Sequence, residues 1–214
     1  MSWVRARRPE QIEERRSEIL DAAAQLFSEM EYREVSLNEI ARRADFTKSN
    51  IYRYFSSLDE IFLVMYAREL DDWKQKALPV IAALPVGTDS HTIVSTFIDL
   101  AAGNERLMEL TSLLAASLER NSSYEAVRDF KRELRAIMGE FIVEFQRILP
   151  GTSEDDLAFF FNVAQAHSAG LWPRTKHNKV LACILSWPSM ANLKMEFKPQ
   201  MTRLLTMVLD GIRK

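Results

Sequence analysis

The sequence predicts an all-α protein in two parts. Three observations carry that expectation. Gly and Pro are scarce, six and seven in 214 residues; apolar residues recur at helical spacing along nearly the whole chain; and capping signatures, a Ser or Thr three residues before an acid, open one helix after another. With 47% hydrophobic and 27% charged residues, the chain can bury a substantial core. No apolar run reaches the roughly 18 residues of a membrane span, and "MSWVRARRPEQ" lacks the apolar segment of a secretory signal, so no membrane partner and a cytoplasmic location are expected. A single cysteine, Cys183, permits no internal disulfide. It lies in "VLACILSW", which reads as an inert core thiol. The net charge of −2 means that any nucleic-acid binding must use a local cationic surface.

Helix starts and stops can be read from the N-terminus onward. After a basic arm, Arg5, Arg7 and Arg8, Pro9 starts a helix of about five turns whose inner face is Ile12, Ile19, Ala23, Leu26, Phe27 and Met30. "SLNE" places Ser36 three residues before Glu39, a capping box that opens a short helix with the stripe Leu37, Ile40, Ala41 and Ala44. Thr47 caps a third helix, and Ser57 with Glu60 repeats the box to open a long fourth one that Pro79 is expected to stop. Beyond the turn-rich "LPVGTDS", "HTIVSTFIDLAA", "ERLMELTSLLAASLE" and "SYEAVRDFKRELRAIMGEFIVEFQRIL" read as three helices. "PGTSEDDL" ends one helix and caps the next at Ser153; that next helix, 154–171, is apolar on more than one face, as a helix buried on several sides or sitting at an interface would be. Pro173 and Pro188 interrupt the stretch after it, leaving one short helix near 177–185 before an amphipathic helix over 197–212 closes the chain.

Residues 47–60, "TKSNIYRYFSSLDE", concentrate rings and bases in a short helix. In a helix over 48–55, Ile51 and Phe55 stand one turn apart and face the first two helices, so Ser49 and Arg53 point the other way, flanked by Asn50 and Tyr52. That outward set suits a duplex: Arg donates twice to guanine, Asn pairs with adenine, and Ser, Tyr and Lys bind phosphate oxygens. Lys48 and Tyr54 lie near its edges. The spacing from Ser36 to Tyr52 fits a helix-turn-helix.

On "ILDAAAQLFSE", "EVSLNEIARRADFTKSNIYRYF" and "DEIFLVMY", residues 12–66 resemble the TetR family of bacterial transcriptional regulators. The resemblance implies an arm and helix-turn-helix DNA-binding domain over 1–56, and a helical effector-binding and dimerisation domain over 57–214. It implies that Thr47, Lys48, Ser49, Asn50, Tyr52, Arg53 and Tyr54 contact DNA; Ser36 and Ser57, hydroxyls at helix starts, complete the candidate set. It further implies a dimer on a palindromic operator and a small effector that releases DNA, which is to say a repressor. Three positions depart from the family's pattern. Asp45 and Glu31 replace glycines, and Leu58 replaces a lysine that would meet a phosphate.

A single helix-turn-helix makes few contacts, so pairing two in a homodimer, one DNA turn of about 34 Å apart, raises avidity. The helices at 154–171 and 197–212 match, in order, the family's dimer bundle. Met65, Phe97, Met108, Leu113, Phe141, Phe145, Phe161 and Trp172 are candidates to line a pocket for a small apolar effector, as are Phe160 and Trp187, with His167 or Asn162 as its polar anchor. No cofactor is expected and no metal: His91, His167 and His177 lack ligand spacing, and neither Gly-rich phosphate motif occurs, which argues against an enzyme. An alternative stays open, a helical ligand-carrying or protein-interaction module without sequence-specific DNA binding.

Overall fold

The computed structural model describes residues 9–176 and 179–213, so the arm of Arg5, Arg7 and Arg8, and His177, lie outside the described residues. Ten α-helices make up most of the described chain: α1 (Pro9–Glu29), α2 (Leu37–Arg43), α3 (Lys48–Ile51), α4 (Leu58–Ala82), α5 (Ser90–Ala102), α6 (Glu105–Leu113), α7 (Tyr124–Ile148), α8 (Glu154–Thr175), α9 (Lys179–Leu185) and α10 (Phe197–Ile212). There is no strand among the described residues. The caps read from the sequence are made: Ser36, Thr47 and Ser153 accept from the amides of Glu39, Asn50 and Asp156. Two departures concern proline. Pro79 does not stop α4, which ends at Ala82, and Pro173 lies within α8. Each falls in the last turn, where the lost bond to the carbonyl four residues earlier leaves the ladder on the N-terminal side of that point intact.

The chain forms two compact units, one of residues up to Arg68 together with Ala115–Lys131, the other of Glu69–Leu114 and Arg132 onward. In the first, α1 packs on α2 and α2 on α3. Ile19, Leu20, Ala23 and Leu26 of α1, Ile40 and Ala41 of α2, Ile51, Phe55, Ile61 and Phe62 are buried together as its core. Phe62 meets Phe27 and Tyr32 edge-on, with ring centroids 5.1 and 4.8 Å apart. Ile12, expected on the inner stripe, is exposed, because the first turns of α1 run past the core and burial starts near Ile19.

The tight turn after α2 is a helix stop built on Asp45. Its φ is +56°, and the next amide, Phe46 N–H, reaches back to the Ala41 carbonyl at 2.8 Å. This is the six-to-one bond of a Schellman ending, which needs one left-handed residue. Asp tolerates that region better than most side chains. Glu31 stands at φ −67°, so no glycine is required there.

In the second unit α10 packs on α5 and α8, and α6 on α8. Its centre is aromatic: Trp73 of α4, Phe97 of α5, Phe141 and Phe145 of α7, and Phe160 and Phe161 of α8 are all buried. Met201, Leu205 and Leu209, each four residues on, seal α10 against it. The segment around α9 corrects the expectation for Cys183. None of α9 is buried, and Cys183 is exposed with Val180, Leu181 and Ile184. Apolar character on a seven-residue helix was not enough to place it in a core.

Asp45→Gly is expected to stabilise the protein by up to about 1 kcal/mol, and Asp45→Val to destabilise it by at least as much, since a β-branched residue resists positive φ. Urea midpoints of the two variants check this; equal midpoints would refute it.

Candidate nucleic-acid interface

α3 has only four residues, and its chain continues in a tighter turn, with Arg53 N–H on Asn50 O, Tyr54 N–H on Ile51 O and Phe55 N–H on Ile51 O. Ile51 is 0% and Phe55 2% exposed. With those two fixed inward, Thr47, Lys48, Ser49, Tyr52 and Arg53 are exposed, and Asn50 and Tyr54 half-buried. The structure thus brings the candidate set together on one side of a short helix. It presents a guanidinium, an ammonium, an amide, hydroxyls and an open ring.

The remaining two candidates have their protons engaged. Ser36 gives its hydroxyl proton to the Glu39 carboxylate at 3.0 Å. Ser57 caps α4 by accepting from Glu60 N–H at 3.0 Å and donates to the Asn121 carbonyl at 2.7 Å. A hydroxyl has one proton, so a phosphate at this helix start meets backbone amides first.

Sequence reasoning missed the residue that steadies the recognition turn. Arg16 of α1 donates to the Tyr54 carbonyl at 2.6 Å, and its guanidinium lies 4.4 Å from the Phe55 ring centroid. On the other side of the turn Arg15 stands 5.5 Å over the ring of Phe46, which itself meets Tyr54 edge-on at 6.4 Å. Two neighbouring arginines therefore hold the aromatic residues that bracket α3. A signal existed: position 16 falls one turn before Leu20 on the stripe that Ile19 and Ala23 occupy, a place where a charge needs a reason.

A second fixture joins this unit's early helices to residues 115–131. Tyr32 donates to Asp59 at 2.6 Å, Ser117 donates to the same carboxylate, and Glu60 accepts from Ser56 and from Ser123 N–H. Burial, and then the bond to Asp59, pushes the Tyr32 hydroxyl up to about 12. Burial opposes the charge on Glu60, but the Ser56 and Ser123 hydrogen bonds outweigh it and hold the carboxyl below its ordinary value.

The family described as bacterial regulatory proteins, tetR family, matches residues 19–65, and the tetracyclin repressor-like C-terminal domain matches residues 67–214. The chain belongs to the TetR family. This TetR-family protein is a transcriptional regulator whose helix-turn-helix binds DNA. Its relatives include the HTH-type transcriptional regulator HbdR of Aromatoleum sp. (strain CIB), 38% identical over 87 residues, which is 40% of this chain and 38% of that one. The transcriptional activator FasR of Mycolicibacterium smegmatis is 37% identical over 60 residues, 28% of this chain and 27% of that one. The matched stretch thus spans well under half of these relatives. Among solved structures, Thermus thermophilus FadR, a transcriptional repressor in complex with lauroyl-CoA, has a TM-score of 0.60 at 16% identity over 92% of this chain and 94% of that one. A regulator from Rhodococcus sp. RHA1 has a TM-score of 0.58 at 18% identity over 92% of this chain and 99% of that one. Both show the same TetR fold.

The candidate effector residues do not all come together. Phe97, Met108, Phe141, Phe145, Phe161 and Trp172 are buried in the second unit, Leu113 half-buried; Met65 is buried within the first unit. The aromatic cluster has ring centroids 5.0 to 6.2 Å apart, whereas Trp172 lies against Phe197 at 5.1 Å. His167 and Asn162 are on the exposed side of α8, and Trp187 is exposed beyond α9.

Arg53→Ala is expected to cost about 1 to 3 kcal/mol of specific DNA affinity through a lost guanine contact, and Lys48→Ala to weaken binding to all sequences and lower the salt slope by about one. Arg16→Met, which touches no base, is expected to lower affinity while the circular-dichroism spectrum stays unchanged. Anisotropy titrations over a salt series decide; retention of affinity in all three variants would refute the assignment.

Because the Tyr32 proton is held more firmly in the folded state, its contribution is complete below pH 10 and lost as pH rises toward about 12. Tyr32→Phe is expected to lower stability near neutrality by about 1 kcal/mol and to flatten the alkaline decline. Urea midpoints of both proteins at pH 8 and pH 11 provide the comparison; parallel declines would count against it.

Proposed function

We propose that the protein is a homodimeric repressor that binds a palindromic operator and is released by a small apolar effector. The observation that carries this reading is the exposure of Ser49 and Arg53 opposite the buried pair Ile51 and Phe55, with Tyr52 and Lys48 exposed on the flank and edge of the same short helix. Guanidinium, amide and hydroxyl groups gathered there match what base edges and phosphates accept and donate.

Dimerisation is supported by the faces α8 and α10 leave open. Phe159, Asn162, Ala166 and Gly170 fall along one exposed stripe of α8, while α10 exposes Gln200, Arg203, Met207 and Gly211. Phe159 is 56% and Met207 65% exposed on two helices that pack together, an arrangement suited to a four-helix contact between copies. Two recognition surfaces then meet successive turns of one face of the duplex, about 34 Å apart.

The aromatic cluster of the second unit supports an apolar effector, and the FadR relative holds lauroyl-CoA. Release requires that the effector favour a state in which the two recognition helices no longer match the groove; shifting occupancy from 99% to 1% takes about 5.5 kcal/mol of preference. α4 and α7 each run in the chain from one unit to the other and would carry that change.

Phe159→Glu together with Met207→Glu is expected to give a folded monomer by sedimentation and to weaken operator binding about a hundredfold or more, since avidity is lost. A selected genomic fragment is expected to hold a palindrome, and a reporter under it to rise when the chain is deleted. A monomeric wild type on a site without symmetry, or a reporter that falls on deletion, would refute the dimeric repressor.

A further inference from the structure

We propose that the indole N–H of Trp73 is the polar anchor of the effector site, and that its ligand is an apolar molecule bearing a neutral carbonyl, an acyl ester or thioester. This rests on the proposed release by an apolar effector. Trp73 is 6% exposed on α4. Its ring is stacked on Phe141 at 5.0 Å and 29°, and stands edge-on to Phe97 at 5.5 Å and 82°. Its Nε1 is buried and has no hydrogen-bond partner. A donor in that condition is destabilising, and proteins seldom leave one in a core without a use. The side chains of Phe97, Phe141, Phe145 and Phe161 offer it no oxygen or nitrogen acceptor, only the weaker face of a ring.

Other polar groups of this unit stand elsewhere, among them the buried, unpartnered Thr206 hydroxyl on α10. His167 and Asn162 are exposed. Trp172 also has a buried, unpartnered Nε1, but its ring stands against Phe197 with the Lys176 ammonium 4.9 Å away, outside the aromatic cluster. Among the described residues, Trp73 holds the only unpaired donor within that cluster.

The same surroundings select the acceptor. No Lys or Arg of this unit is among the buried residues, and Lys74, next to Trp73, is already paired with Asp71 and Glu140. A carboxylate brought in beside Trp73 would lose its water without gaining a counter-ion. A thioester or ester carbonyl accepts one N–H and brings no charge. The phenyl rings meet the apolar remainder.

Two probes of equal chain length separate the possibilities: lauroyl-CoA, with a thioester carbonyl, and S-dodecyl-CoA, the thioether without it. Wild-type protein is expected to bind lauroyl-CoA about fivefold or more tightly than the thioether by calorimetry, the worth of one satisfied donor. Trp73→Phe is expected to bind the two within about twofold. In wild-type protein, one tryptophan indole resonance, the one absent from the Trp73→Phe spectrum, is expected to move with lauroyl-CoA and not with the thioether. Equal affinity in wild type, an unmoved indole resonance, or a preference that survives Trp73→Phe would overturn the anchor and leave the effector reading standing. Failure of both probes to bind would overturn the acyl-thioester ligand and leave the apolar-effector reading standing. The wild-type comparison of the two probes does not depend on whether the variant folds.

Discussion

A four-residue helix cannot hold itself in water. Nucleation fixes three residues for each first hydrogen bond, and isolated helices are marginal below about a dozen residues. α3 exists because Ile51 and Phe55 are wedged into the core made by α1 and α2. Burying two such side chains is worth about 3 to 6 kcal/mol, enough to offset the order imposed on a short turn. That wedge also sets the angle at which Ser49 and Arg53 leave the surface, so orientation of the reader and stability of the module come from one contact. The Thr47 cap and the Arg16 bond to the Tyr54 carbonyl secure the two ends of the same turn.

The DNA-binding unit is not a contiguous stretch of chain. Residues 115–131 belong to it and are tied in by directional bonds as much as by packing: Ser117 to Asp59, the Ser57 hydroxyl to the Asn121 carbonyl, and Ser123 N–H to Glu60. The start of α4 is therefore bonded to a segment that the C-terminal family domain contributes. The single proton of the Ser57 hydroxyl is committed to the Asn121 carbonyl.

The second unit has a different chemistry. Its centre is built from rings that meet edge-on or tilted, and the charges near it are already paired at the surface, Lys74 with Glu140 and Arg106 with Glu69. Rings meeting this way hold the unit together by buried area and by edge contacts.

What the sequence by itself determined is the local and the periodic. Helix starts come from a hydroxyl three residues before an acid, α10 from apolar residues four apart, the left-handed turn after α2 from the one small polar residue there that tolerates it, and the direction of Ser49 from the register of Ile51; all act within about a turn, and a one-dimensional pattern records such forces directly. The tertiary structure alone decided which distant groups meet. Tyr32, Asp59 and Ser117 share no period, Arg16 becomes a clamp only once Tyr54 folds back to it, and Cys183 lies exposed although its neighbours are apolar. Hydrogen bonds between residues tens of positions apart depend on the path of the whole chain, and burial depends on whether another surface arrives, so neither is written in the local spacing of residues.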